Sequence, residues 1–405
     1  MKPRQAFTGP ALFSYGFRPF FAATILTGLI AVPLWVLIWQ GALDYNGPFA
    51  AVDWHIHEMV FGYGSAVLAG FLFTAVPNWT GRLPVRGWPL AALFALWILG
   101  RLVLWTGFVG PIAALLIDCA FLVLVAAMIA REIVAGKNWR NLKVLLPVSL
   151  FTLANLCFHL EVMSAGISDY SRRLGIALLI FLIMLIGGRI IPSFTRNWLV
   201  KTRGQEAPLP VPFSRFDGVS LAFGAVALLA WVLLPGSLFA AVFLMIAGVL
   251  HMARLTRWRG SSVLSSAILL MLHLAYGFIP LGLFVAGFAA LGLMDQAAAV
   301  HILGIGGIGG MTVAVMMRAS MGHTGRDLTA GPLLTFAFAL LCGAAALRSA
   351  DSVFEGFEIG AIHGAAALWT LAFALVSLRL LPWLVQGNAA KRKASAPPQA
   401  RPSPQ

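Results

Sequence analysis

Twelve separate apolar runs, each long enough to cross about 30 Å of hydrocarbon, constrain this 405-residue chain more than any motif within it. They cover 17–40, 54–76, 88–106, 109–131, 143–162, 174–193, 216–234, 237–255, 261–285, 296–318, 331–349 and 359–384. A lone segment in lipid must satisfy its own backbone hydrogen bonds, so each run is expected to be an α-helix. With 60% hydrophobic and 10% charged residues, the chain also lacks the polar surface that a soluble domain requires. The expected fold is therefore all-α: a polytopic membrane protein with one twelve-helix domain over 1–388.

The loops provide an independent check, because Lys and Arg concentrate on the cytoplasmic side of membrane proteins. With both termini cytoplasmic, 24 of the 28 basic residues fall on that side. Only Arg101, Arg172, Arg173 and Arg348 are left on the other. The net charge of +14 is thus a topology signal spread over many loops. Such a distribution suits anionic lipid and argues against nucleic acid, which calls for basic residues gathered on one surface.

The first run is too long for a signal peptide and lacks a cleavage site before Asp44, so it is expected to remain as the first membrane helix. The longest internal loop, with Pro208, Pro210 and Pro212, divides the runs six and six, suggesting halves 1–200 and 213–388. Residues 389–405, rich in Pro, Ala and basic side chains, are expected to form a disordered cytoplasmic tail. Cys119, Cys157 and Cys342 fall singly in three runs without a CxxCH, which argues against both covalent c-type heme attachment and structural disulfides.

Buried imidazoles are costly in a bilayer unless they have partners, and this chain places several at one depth. His55, His57, His159, His301 and His363 come from four runs, and all lie near the outer ends of their helices in the expected topology. They are the candidate ligands for a metal or a heme. Any heme would be non-covalent, and any metal would rely mainly on imidazole. In a regular helix His55 and His57 point about 200° apart, so two neighbouring centres fit them better than one chelate. Glu58 and Met59 are expected on the His55 face, with His57 facing elsewhere alongside Phe61. His251 and His273 read as interhelical hydrogen-bond partners.

Glu58 and Asp118 are candidates for proton transfer, Asp118 lying near the middle of the fourth run. Arg189, Arg318 and Arg326, towards the cytoplasmic side, are candidates for pairing heme propionates or another anion, and simple charge anchoring explains them equally well. The glycines from Gly304 to Gly310 follow no strand and so form no phosphate loop; they suit close helix packing, and a planar macrocycle as well.

Four stretches then carry a resemblance. Residues 54–62 (WHIHEMVFG), 69–81 (AGFLFTAVPNWTG), 187–197 (GGRIIPSFTRN) and 322–326 (GHTGR) resemble, in order, the signatures of the NnrS family. The resemblance extends over nearly the whole chain apart from its tail. It implies a multi-pass protein of the bacterial cytoplasmic (inner) membrane that binds heme b and copper and acts in nitric oxide metabolism and protection from nitrosative stress. His323, within the last motif, joins the candidate metal ligands on that ground.

Three functions stand at this stage. The leading one is a heme and copper protein that binds or transforms nitric oxide, as an oxidoreductase drawing electrons from an external quinol or cytochrome. The others are a transporter of a metal or metal-nitrosyl species, and a non-catalytic membrane assembly or regulatory partner.

Overall fold

The computed structural model describes residues 7–204, 206–350 and 357–387. The tail expected over 389–405 lies outside them. Twelve helices among the described residues are long and apolar enough to span a membrane, and each overlaps one expected run. They are α1 (Phe17–Trp39), α2 (Ala51–Thr80), α3 (Trp88–Thr106), α4 (Pro111–Ala135), α5 (Trp139–Ala165), α6 (Tyr170–Arg203), α7 (Arg215–Leu233), α8 (Leu238–Thr256), α9 (Ala267–Ala290), α10 (Gln296–His323), α11 (Gly331–Ala350) and α12 (Glu358–Val385).

Several helices outrun their apolar runs. α2 begins at Ala51 rather than residue 54, α6 continues to Arg203 and α10 to His323. Hydropathy marks the part of a helix that matches hydrocarbon, whereas the hydrogen-bonded ladder continues through polar ends such as Asp53 and Lys201. The ninth helix starts later than expected, at Ala267, because Gly260–Val263 forms a short 3₁₀ turn before it.

The bundle is layered. Within their apolar 18-residue stretches most of the spans bury half of the residues or fewer, but α2 buries 83%, α9 and α10 67%, and α6 61%. α2, α6 and α10 are central: α6 packs against both of the others, and the Tyr63 hydroxyl of α2 meets Thr312 Oγ1 of α10 at 2.6 Å. Around them α1 packs on α12, so the first and last helices close the ring. Arg18 reinforces that closure by donating to the carbonyls of Leu384 in α12, at 2.8 Å, and of Gln386 just after it, at 2.7 Å.

The three central helices share an irregularity. Each contains a π-helical segment: Glu58–Tyr63 in α2, Ile183–Gly187 in α6 and Ile302–Gly309 in α10. A π segment inserts one extra residue into the turn, which re-aims the side chains around it and frees a backbone carbonyl. In α6 the Met184 carbonyl accepts from the buried Arg254 guanidinium at 2.7 Å.

Candidate metal centre and adjoining cavity

Three helices converge on one carboxylate. His57, in the last turn of α2 before its π segment, Asp118 of α4 and His159 of α5 are all buried. Their candidate ligand atoms lie within 4.8 Å of one another. The two Nε2 atoms each lie 3.2 Å from Asp118 Oδ2. Asn155, one turn before His159, completes the arrangement by donating Nδ2–H to Asp118 Oδ2 at 2.8 Å and accepting from His57 Nε2 at 2.9 Å.

Charge is balanced from α3. Arg101 donates to Glu58 Oε1 at 2.9 Å and to Asp118 Oδ1, bridging the two buried carboxylates. Its guanidinium carbon sits 5.7 Å from the Trp97 ring centroid. Gly62 makes room for this bridge, because a Cβ there would lie 2.6 Å from Arg101 Nη1 and 2.7 Å from Glu58 Oε2. Aromatic rings exclude water: Phe49 stands 5.1 Å from both imidazoles, and Phe158 5.2 Å from His57, by ring centroids.

Two imidazoles and a carboxylate form a nitrogen and oxygen donor set of the kind that copper accepts. The surroundings supply what ligands need from their neighbours: Asn155 and Arg101 orient Asp118, and Glu58 Oε1 lies 3.6 Å from His57 Nδ1, the nitrogen turned away from the cluster.

His55 faces a different space. A cavity of about 630 Å³ opens on the other side of α2, lined by His55, Met59, Trp35, Trp369, His301 and Gly304 among others. The His55 ring stacks on Trp35 with centroids 4.5 Å apart. Its Nδ1 is buried and has no hydrogen-bond partner among the described residues. On α10, His301 Nδ1 bonds to the Ala297 carbonyl at 2.7 Å, which leaves Nε2 as the lone-pair nitrogen of the neutral ring. A Cβ on Gly304 would meet nothing within 4 Å, so this glycine leaves space in the cavity rather than packing a neighbour. An apolar cavity of this size with a few convergent nitrogens suits a flat hydrophobic cofactor held by imidazole.

Glu58 departs from expectation. It joins His57, Arg101 and Asp118, while Met59 alone stays with His55 on the cavity wall. The π segment begins at Glu58 and shifts the register from there, and the Arg101 guanidinium draws the carboxylate to its side. Asp118 also sits nearer its helix end than expected, two turns into α4 and level with the histidines.

The remaining candidates lie elsewhere. His363 is half-buried, bonded to Gln40 and through Nδ1 to the Ile359 carbonyl at 2.7 Å, and lines neither site. At the opposite end of the bundle His323 stacks on Tyr15 with centroids 5.6 Å apart. Arg318 lies 3.8 Å over the Phe194 ring and Arg326 4.9 Å over Trp383; Arg189 is exposed, and none of the three lines the cavity. His251 bonds to Tyr276 at 2.7 Å and to the Ser220 carbonyl at 3.1 Å, and His273 to the Leu269 carbonyl at 2.9 Å, so both are interhelical or local hydrogen-bonding residues.

Arg101 and Asn155 are site residues that sequence reasoning did not select. Arg101 carried a signal, as one of only four basic residues on the sparse side of the charge distribution. Asn155 carried none beyond its place one helical turn before His159. The chain matches the family model described as NnrS protein over residues 11–387. No curated protein matches it.

Proposed function

The chain belongs to the NnrS family, and from that membership and the two sites we propose that it is a heme and copper protein of the bacterial cytoplasmic membrane that binds and transforms nitric oxide. Copper is assigned to His57, Asp118 and His159, and heme b to the cavity between His55 and His301. One observation carries this reading: a buried imidazole and carboxylate cluster lies back to back, across α2, with an apolar cavity holding two further imidazoles.

The bound metals would supply the electron-rich centres to which nitric oxide binds as a ligand. The residues around them do the rest. Trp35, Trp369 and the other apolar walls exclude water from the cavity, and nitric oxide, being small and neutral, needs no hydrophilic channel to enter. Glu58, beside His57 and paired with Arg101, would serve as the proton-transfer group next to the cluster. Electrons would come from outside the chain, by a quinol or a cytochrome.

The test is metal analysis with optical spectra of the detergent-purified protein, oxidised and reduced, before and after nitric oxide. The reading predicts stoichiometric iron and copper and a Soret band that moves on nitric oxide addition. A colourless protein that remains so after reconstitution with heme and copper contradicts it. A second reading, transport of a metal or metal-nitrosyl species, draws on the π segments of the three central helices α2, α6 and α10, since such segments gather at functional sites. Metal flux into proteoliposomes would favour it.

A further inference from the structure

We propose that Arg254, which belongs to neither site, is the positioning residue for the cavity wall on α6: it holds the π segment whose extra residue turns Ile176 and Leu179 into the cavity. The inference rests on the reading of that cavity as the heme site.

α6 has two halves with different partners. The first, Tyr170–Leu182, packs against α2 and α10 and gives the cavity Ile176 and Leu179. The second, Gly188–Arg203, packs on α9 and buries Gly188, Ile191, Thr195 and Leu199. At about 100° per residue, an unbroken α-helix would set those four roughly 60–140° around its axis from Ile176. With one residue taken out of the count, they fall within about 40° on either side of it. The extra residue of Ile183–Gly187 therefore lets one helix present both stripes to the bundle interior.

A π segment leaves a carbonyl without its helical partner, and Arg254 takes it up. This side chain is completely buried. Its Nη1 donates to the Met184 carbonyl at 2.7 Å and to the Tyr276 hydroxyl at 3.1 Å, and its Nε donates to Asp217 Oδ1 at 2.9 Å. Groups on α7, α8 and α9 thereby fix the guanidinium, with His251 bracing Tyr276 at 2.7 Å. Gly188 gives it room, since a Cβ there would overlap Arg254 Nη2. Desolvation offsets much of the attraction in a buried ion pair, so the pair with Asp217 is better suited to fixing a geometry than to adding stability.

The experiment removes the ion pair and then the extra residue. Asp217→Asn with Arg254→Met leaves neither partner charged, and asparagine keeps an acceptor for the Ser214 N–H. By Soret titration of the purified full-length protein, this double variant is expected to bind heme about tenfold or more weakly than wild type, the scale of one apolar side chain withdrawn from a ligand. Copper, assigned to α2, α4 and α5, should be retained and reports folding. Deleting Leu185 from the double variant makes the segment a plain α-helix with both halves in place, so heme affinity should return. In wild type the same deletion should weaken heme binding or lower monodisperse yield, because Arg254 loses its carbonyl. Should the double variant fail to fold, recovery of monodisperse yield on deletion is the supporting result. Heme binding by the double variant equal to that of wild type overturns the proposal. So does a deletion that restores neither affinity nor yield, since loss of a merely structural residue is not repaired by a shorter α6. Failure of wild type to bind heme overturns the reading of the cavity beneath it.

Discussion

His55 and His57 stand two residues apart on α2 and face different sites, His57 towards Asp118 with Nε2 3.2 Å from Oδ2, and His55 towards the cavity with its ring stacked on Trp35. One helix thus forms part of the wall of both. A ligand bound on either side would lie within a helix diameter of the other, with the α2 backbone between them.

Arg101 holds two buried carboxylates together, and its loss should be costly. Arg101→Leu leaves Glu58 and Asp118 uncompensated, a defect that costs about 3–5 kcal/mol when one partner of a buried ion pair is removed. Adding Glu58→Gln to Arg101→Leu should recover part of that loss. Thermal unfolding in detergent of the two single variants and the double variant measures the coupling.

Copper should stabilise the fold through the cluster alone. A ligand present at 100 times its dissociation constant adds about 2.7 kcal/mol to a protein that binds it only when folded. Melting of the metal-depleted protein with and without added copper should show an upward shift in wild type. In Asp118→Asn, which keeps the side-chain shape but gives up the charged ligand, the shift should shrink or vanish.

Gly304 is expected to be dispensable for folding but not for the cavity. Among the described residues, nothing beyond the helix's own backbone lies within 4 Å of a Cβ at this position, so Gly304→Leu should fold and retain copper while its heme content falls. The contrast is Gly309, where a Cβ would stand 2.8 Å from the Trp369 ring; Gly309→Leu should reduce folded yield. Heme-to-protein ratio and monodisperse yield, compared between the two variants, separate these effects.

Acid should weaken the ion pair between Asp169 and Arg173 at the start of α6. Hydrogen bonds from Arg173 hold this loop carboxyl below the ordinary carboxylate range, so the folded protein keeps it ionised at a pH where the unfolded chain has taken up a proton. The stabilisation is therefore full above the ordinary value of about 4 and fades as pH falls through the lowered one. Wild type should lose more melting temperature than Asp169→Asn between about pH 6 and pH 3. Equal losses would show that the pair adds nothing to stability.

The helices were legible because hydrocarbon thickness imposes a length that composition records directly, as in the run 88–106, which α3 reproduces residue for residue. The opposed directions of His55 and His57 followed from 3.6-residue periodicity. Periodicity failed at Glu58, because a π segment leaves no local hydropathy signature and re-aims every residue after it. The partners of His57 were beyond reach for another reason. Asp118, Asn155 and Arg101 lie 61, 98 and 44 residues away in the chain and on three other helices, and only packing brings them to one point. The grouping of five histidines by depth was correspondingly coarse: depth is shared by His363, which pairs with Gln40 and lines neither the cluster nor the cavity.

The most direct test of two separate sites is iron and copper content with Soret absorbance in two double variants, His57→Ala with His159→Ala, and His55→Ala with His301→Ala. The account predicts that the first loses copper and keeps its Soret band, and that the second loses the Soret band and keeps copper. Loss of both metals together in each variant, from protein that remains folded, or retention of both, would contradict it.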